Sequence, residues 1–527
     1  MSESLATEFL LPPSFSVETM VTSGRLVQVS ESRVRLTLLD TFDRRLLKAG
    51  AWLAIEKDAN GLCRCVCQFG HDPREVLPWL GSLPVFSDDL TCLDGHEWLA
   101  PILDVRALMP QVEMTGTCCE WGVEADDGTA MLRLCVESLA VRERRRKSPL
   151  QPRLRLIPLK GQRKEFRSWA DSLCGEPTIQ VAKTTLYQAA VDGLGSAWSE
   201  TVIPPVLVTD PEMRADVAVK RVLHQLLETM RVNEPGLLAE VDTEFLHDYR
   251  VAVRRTRAVL GPMGATLPPS LLQRFRNSFA DLAQATSVAR DLDVFLLALA
   301  WLDAQLPEAM QGQLQPLHDE VMTRCQRAHQ GLNSRLCSTA HHRFMKAWTS
   351  FLERPPPQRP TADKACVPIR DLAAEKIWKL YRRLLREGKA IDRESPPQAL
   401  HTLRKTAKKL RYQMELFGGL FPADELRPLL RRLKKLQTHL GDYQDICVQA
   451  GHLHELAELL RSHAVPVDTL LAIGALLGHL HLQESRLRGR FAEWFDEFSS
   501  RRHRRKFRRL FGPVMTSEVE DKPAPSG

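Results

Sequence analysis

The sequence predicts an α+β multidomain protein in which an antiparallel β-rich unit precedes an all-α unit built as a duplicated helical bundle. Three observations carry this. Up to about residue 175, apolar and polar positions tend to alternate, broken by Gly turns, whereas from Pro211 apolar residues recur at i, i+3, i+4 and i+7. The net charge of +7 is unevenly divided: residues 1–210 hold 23 Lys and Arg against 28 Asp and Glu, and residues 211–527 hold 49 against 37. Finally, two stretches of the helical half superpose at an offset of 154 residues.

A length of 527 residues implies two or three domains, and 44% apolar with 26% charged residues is the balance of an ordinary globular chain. That balance excludes wholesale disorder, a collagen-like repeat and a membrane bundle. With 6% aromatic residues and five tyrosines, a single-strand nucleic-acid binder built on stacking platforms is disfavoured. The opening MSESLATEFLLPPSF lacks a basic leader region, and no apolar run approaches the ~18 residues of a membrane helix. A cytoplasmic setting is therefore expected. Twelve scattered cysteines fit reduced thiols there, and Cys63, Cys65 and Cys67 alternate as on a strand rather than at zinc-knuckle spacing.

In chain order, strands are expected at Arg25–Val29, Arg33–Leu38, Cys63–Phe69 and Ala130–Glu137, with turns at Asn60-Gly61 and Asp127-Gly128. Short helices fit Asp43–Ala49, ended by Gly50, and Lys164–Leu173. The basic run Arg142–Lys147 reads as a solvated loop. The β-rich domain spans 1–175, and 176–210 reads as a linker or a docking segment. Helices follow at Val217–Met230, Glu244–Leu260, Leu271–Gln284 and Asp293–Leu302. After the Pro-rich break at 353–361 they resume at Ile369–Arg386, Gln398–Phe417, Ala423–Leu440 and Asp445–Arg461. The helical domain thus covers 211–510, in halves of about 211–352 and 366–510, with a disordered tail at 511–527.

The repeated segments are FLHDYRVAVRRTRAVL from Phe245 and ALHTLRKTAKKLRYQM from Ala399. The offset of 154 carries His247 onto His401, Arg250 onto Arg404, Arg254 onto Lys408, Arg255 onto Lys409 and Arg257 onto Arg411. Continuing ungapped, it carries Asp291 onto Asp445. At about 100° per residue, His247, Arg250, Arg254 and Arg257 share an arc of roughly 80° along about 15 Å of one helix face. His401, Arg404, Lys408 and Arg411 do the same. Stacked like charges destabilise an isolated helix, and neither segment places an acid along its row. A solvated basic face is the plain alternative for one copy; two copies at matched spacing favour an anion-binding row. The histidines also admit a buried structural role and the row arginines a pairing with Asp291 and Asp445, which themselves read as helix caps or braces of a bundle contact rather than catalytic or metal-binding groups.

Here the sequence resembles a known family. The two H-x-x-R-x-x-x-[RK]-[RK]-x-R segments, each followed by a helix and an Asp-containing turn, look like the CHAD domain, the conserved histidine α-helical domain, over about residues 211–510. The resemblance implies two bundles related by a pseudo-twofold axis, basic helices lining a central groove or pore, and inorganic polyphosphate as ligand. It transfers contact roles to His247, Arg250, Arg254, Arg255 and Arg257, and to His401, Arg404, Lys408, Lys409 and Arg411. Lys220 and Lys376, on the first helix of each half, are added by the same resemblance.

Residues 1–175 are similar to the CYTH domain, the triphosphate-tunnel fold, which often precedes a CHAD domain. The stretches carrying this are LLDTFDRRLLKAGAWLAIE from Leu38 and LKGQRKEFRSWADSL from Leu159. An active tunnel needs carboxylates for Mg²⁺ or Mn²⁺ and cations for the triphosphate. Where the family opens with Glu-x-Glu-x-Lys, this chain has Ser4, Ala6 and Glu8; its paired arginines are here Ala54 and Glu56, and its late Glu-x-Glu is Arg153 and Arg155. The resemblance therefore implies a degenerate tunnel without catalysis.

The expected function is a non-catalytic, granule-associated polyphosphate-binding protein, with no catalytic residue, cofactor, metal or membrane. The histidines, titrating near neutrality, predict tighter binding as pH falls from about 8 to 6. The alternatives are a metal-dependent triphosphatase or polyphosphatase using the N-terminal tunnel, and a basic nucleic-acid-binding protein using the charge of Arg501–Arg509.

Overall fold

The computed structural model describes residues 8–513 apart from 14, 16, 18–24, 71–73, 92–95, 126–127, 144–145, 160–161, 196–207, 393 and 462–464. Ser4, Ala6, the Asp127 end of one expected turn, part of the Arg142–Lys147 run, the Lys160-Gly161 turn and the tail from residue 514 lie outside the described residues. The chain forms two units, Met1–Val202 and Ile203–Gly527.

In the first unit the strands are β1 (Glu8–Leu10), β2 (Arg25–Thr41), β3 (Ala51–Asp58), β4 (Cys63–Phe69) and β5 (Glu75–Pro78), then β6 (Leu108–Glu124), β7 (Ala130–Glu143), β8 (Arg146–Pro149), β9 (Arg153–Pro158) and β10 (Gln180–Val181). They make one antiparallel sheet in the order β10-β1-β9-β7-β6-β2-β3-β4-β5, with β8 also on β7. The two strands expected within 25–38 are one long strand whose register slips between Gln28 and Ser30, a bulge that keeps the pairing with β6 unbroken on either side. The Arg142–Lys147 run is no free loop, since β8 pairs back on β7 from Arg146.

The Asp-Thr turn after β2 folds as its chemistry requires. Asp40, buried, accepts the backbone N–H groups of Leu46 and Leu47 at 2.9 and 3.0 Å, and Thr41 Oγ1 accepts that of Arg45 at 3.0 Å. These orphan donors open α1 (Arg45–Lys48), and Gly50 at φ 71 closes it. The other helices of this unit are α2 (Leu99–Leu103), α3 (Arg163–Gly175) and α4 (Leu186–Leu194). Phe166, Trp169 and Leu173 of α3 pack on Phe9, Leu154 and Leu156, while Leu186 and Tyr187 of α4 pack with Leu38, Trp52 and Met114. Segment 176–194 is therefore sheet edge and core helix, not linker, because its apolar residues complete the sheet's buried face.

The second unit contains eleven α-helices among the described residues. Its first half holds α5 (Ala215–Leu238), α6 (Thr243–Leu260), α7 (Pro269–Asp303), α8 (Gln315–Leu336) and α9 (Thr339–Glu353). Then come α10 (Ile369–Lys389), α11 (Pro397–Leu416), α12 (Ala423–Arg461), α13 (Val467–Gly489), α14 (Phe491–Ser499) and α15 (Arg501–Phe511). Asp242 caps α6 by accepting the N–H groups of Glu244 and Phe245, and Arg276 closes its other end by donating to the carbonyls of Leu260 and Gly261. At the start of α11 the cap position is Pro396, and the hydroxyl of the preceding Ser395 donates to Asp392.

Helices α7 and α12 each run unbroken where the sequence suggested two helices and a turn. Asp291 and Asp445 accordingly sit inside helices and cap nothing, and α12 runs through Gly441, four residues before Asp445, without ending there. The basic run at 501–509 is a docked helix: His503, Phe507 and Phe511 are buried at i, i+4 and i+8, and Phe507 stacks on Tyr381.

Contacts repeat at the offset of 154. The N–H of Ala215 donates to the carbonyl of Val367 and that of Ile369 to the carbonyl of Met213, both at 2.9 Å, so each start segment braces the other. Helices α6 and α11 pack together, and Gln413 Nε2, buried, donates to the Ala258 carbonyl at 2.8 Å.

Candidate functional site

The α6–α11 contact decides where the two cationic rows go. Tyr412 lies in α11 with its ring buried, and three guanidinium groups gather on it. Arg254 and Arg255 of α6 stand 5.4 and 5.9 Å from the ring centre, and Arg411 of α11 stands 5.5 Å from it. Like charges from both helices thus converge on one aromatic ring, which partly offsets their repulsion. Lys408 completes the convergence. Its ammonium is pushed down to about 7 by burial and then by Arg404 and Arg254, with Asp445 opposing and Arg250 adding. Feeling Arg250 and Arg254 places it within reach of the first row.

Each row is braced from the neighbouring long helix. Arg250 donates to Ser287 Oγ at 2.8 Å and lies 3.6 Å from Asp291. Arg404 lies 3.6 Å from Asp445, the same distance at the matched position. Ser287 has no hydroxyl counterpart, since Gly441 stands there, so Arg404 is held less tightly. Both aspartates are more than half exposed, and such pairs are weak. The buried Nε atoms of Arg250, Arg254, Arg255, Arg404 and Arg411 have no hydrogen-bond partner.

The histidines are placed differently from one another. His401 Nδ1 is 2.6 Å from Gln444 Oε1. At the matched position stands Arg290, which donates to Glu244 and to the Thr243 carbonyl at the start of α6. Burial holds His247 below its ordinary value, with Glu244 opposing and Arg290 reinforcing. Burial thus opposes the charge that His247 was expected to gain.

Three further expectations need correction. The row of α11 is not free of acid: Glu415, fourteen residues past His401 and hence on the same arc, lies 3.6 Å from both Arg255 and Arg411 and 3.7 Å from Lys434. It lay just beyond the repeated segment. Lys220 is held at the end of α9, donating to the Arg354 carbonyl at 2.8 Å with its ammonium over the Phe351 ring. Lys376 is paired with Glu375 at 2.8 Å. Arg257 and Lys409 are exposed and flank the converged groups.

Lys408 makes a testable pH dependence. A bound polyanion favours the protonated amine, so affinity is fully developed below pH 7 and falls as pH rises through Lys408's value. Between about pH 6 and 8 the loss is expected to be about tenfold. Titration of Lys408→Arg, which stays charged, is expected to give a flat profile over that window.

The β unit holds a different arrangement. Arg74, wholly buried before β5, contacts Glu8 of β1 at 2.8 Å and Glu137 of β7 at 2.6 Å. Since β5 and β1 lie near opposite ends of the strand order, the sheet curls round to bring these groups together. Arg153 lies 3.2 Å from Glu8 and donates to the carbonyls of Thr184 and Thr185, and Arg155 lies 3.9 Å from Glu137. Burial would raise Glu8, but Arg74 and Arg153 hold it below the usual carboxylate range. Glu56 is paired with Arg64 at 3.2 Å.

Residues 221–454 match the model of the CHAD domain, so the helical unit carries a CHAD domain. Two curated proteins of Mycobacterium tuberculosis are similar to the chain, uncharacterized protein MT2285 of strain CDC 1551 / Oshkosh and uncharacterized protein Rv2226 of strain H37Rv. Each is 26% identical over 295 residues, 56% of this chain and 54% of theirs. The chain thus spans about half the length of the curated relatives it matches. Among solved structures, the CHAD domain from the plant Ricinus communis is 23% identical, with a TM-score of 0.46, covering 55% of this chain and 95% of that one. PptA from Streptomyces chartreusis is 19% identical, with a TM-score of 0.42, covering 54% and 99%. Among the described residues no helix is long and apolar enough to cross a membrane.

Proposed function

We propose that this chain is a non-catalytic inorganic polyphosphate-binding protein whose ligand lies along the converged rows of α6 and α11. The observation that carries the reading is the gathering of Arg254, Arg255 and Arg411 on Tyr412, with Lys408 in the field of the opposite row. Half-buried cations crowded together, with buried Nε–H groups left unpartnered, are destabilising by themselves and become favourable when a chain of anions reaches them. Arginines supply forked bonds to phosphate oxygens and lysines point charges, and neither requires a base or a sequence. Polyphosphate, the ligand implied by the CHAD resemblance, offers such anions at close, even spacing and releases counterions on binding.

Absence of catalysis is part of the proposal. In the β unit, Glu8 and Glu137 face Arg74, Arg153 and Arg155, so the interior carboxylates are already neutralised by guanidinium groups. A divalent ion that activates a triphosphate needs unpaired carboxylates. This supports a degenerate CYTH-like unit. Placement on polyphosphate granules belongs to the same proposal and follows from the ligand.

Two assays on the full chain test the reading. Phosphate release from triphosphate and from polyphosphate, with Mg²⁺ or Mn²⁺ added, is expected to match the protein-free rate. In competition, short polyphosphate is expected to displace duplex DNA at much lower phosphate concentration than the reverse. Metal-dependent release would establish the enzyme instead, and preferential displacement by DNA the nucleic-acid binder.

A further inference from the structure

Away from both arrangements, three side chains of different chemistry meet between α7 and α8. Asp293 of α7 is 4% exposed and Cys325 of α8 is 8% exposed. His329 stands one helical turn beyond Cys325, on the same face of α8. Cys325 Sγ donates to Asp293 Oδ1 at 3.1 Å, and a His329 ring nitrogen, Nε2, lies 2.8 Å from the same oxygen. One oxygen thus takes both contacts, while Asp293 Oδ2 and His329 Nδ1 are buried with no hydrogen-bond partner. An interior carboxylate oxygen and an imidazole nitrogen left unpartnered are costly. A hydrogen-bonded cluster alone leaves that cost standing.

A cation among the three takes the sulfur, a carboxylate oxygen and a ring nitrogen together and neutralises the buried carboxylate's charge. One ligand atom from each of Asp293, Cys325 and His329 lies within 4.8 Å of the others, and the separations around a four-coordinate zinc are about 3–4 Å. Seating an ion therefore means opening the two present contacts by less than about 1 Å. The donor set selects the ion. Mg²⁺ and Ca²⁺ avoid thiolate, copper(I) avoids carboxylate, and Zn²⁺ accepts sulfur, nitrogen and oxygen together. At the edge of the cluster, Asn333, one further turn along α8, holds Glu240 at 2.9 Å, and Glu240 acts electrostatically on both Cys325 and His329. It adds negative charge beside the cluster without belonging to it.

We infer that Asp293, Cys325 and His329 form a three-residue Zn²⁺ site, its fourth position open to water, that pins α7 to α8. Binding displaces the Cys325 thiol proton to solvent as the thiolate bonds to the metal; no electrons are exchanged. The site is independent of the polyphosphate reading.

Cobalt(II) is the probe, added to the metal-stripped full chain. One equivalent per chain is expected to develop tetrahedral d–d absorption with a thiolate-to-cobalt charge-transfer band, and one equivalent of Zn²⁺ is expected to abolish both. In Cys325→Ser the charge-transfer band is lost. In Asp293→Asn and His329→Gln, with far-UV circular dichroism checking the fold, affinity for cobalt falls at least tenfold. Zinc is also expected to raise the thermal midpoint of the wild-type chain and not that of His329→Gln. A wild-type chain that takes up no cobalt at micromolar concentration overturns the inference, as does a charge-transfer band that survives Cys325→Ser or His329→Gln.

Discussion

Changing Arg250, Arg254, Arg404 and Lys408 together to Glu is expected to abolish polyphosphate binding while leaving helicity unchanged. Four cations become four anions on the faces that converge at Tyr412. Counterion release then changes sign at every one of those positions, and an affinity loss exceeding about 10³ is expected near 100 mM salt. Folding is expected to survive because all four side chains lie at the margin of the helix contact rather than in its core. The contact itself rests on groups left untouched, such as Gln413 on the Ala258 carbonyl and the paired segments before α5 and α10. Filter binding or calorimetry with circular dichroism on the same sample checks both halves of the statement. Retained affinity would move the site elsewhere, for instance to the exposed arginines of α15.

The second large effect concerns the β unit. Replacing Arg74 by Met leaves Glu8 and Glu137 facing each other across a buried space, with only Arg153 at 3.2 Å and Arg155 at 3.9 Å to offset them. Removing one partner from a buried ionic cluster costs about 3–5 kcal/mol. For a unit of this size that lowers the thermal midpoint by about 10 °C. Replacing Glu8, Arg74 and Glu137 together by Gln, Met and Gln is expected to recover much of the loss, because no full charge is then stranded. The first transition in differential scanning calorimetry reads the result. An unchanged midpoint for Arg74→Met would show the network to be open to water and the interior to be more accessible to ligand than its geometry indicates.

Much of this architecture was legible because its physics is local. Alternation from Cys63 to Phe69 places Cys65 and Cys67 in the core, and β4 has the expected bounds. The recurrence at offset 154 marked α6 and α11 before their packing was known. What the sequence did not show were effects requiring two distant segments at once. Nothing near Arg411 says that α6 brings Arg254 and Arg255 to the neighbouring Tyr412, nor that Glu415 will meet Arg255. Arg74 sits in a stretch with no motif, and only the curl of the sheet brings it to Glu8. Helices α7 and α12 are continuous through Asp291 and Asp445, although a polar Asp reads locally as a turn, because a helix surface tolerates an Asp that finds an arginine. Helices α8 and α9 passed unnoticed because α8 is largely polar, with only five fully buried side chains in 22 residues.

The claim on which everything rests is that both rows serve one ligand. Calorimetric titration of a short polyphosphate of fixed length into three full-length proteins addresses this directly. They are the wild type, a first-row variant (Arg250→Gln with Arg254→Gln) and a second-row variant (Arg404→Gln with Lys408→Gln). A shared site predicts one bound chain per protein in all three and a loss of at least about tenfold in affinity in either variant. Two binding events in the wild type, with each variant keeping one of them at unchanged affinity, would contradict it.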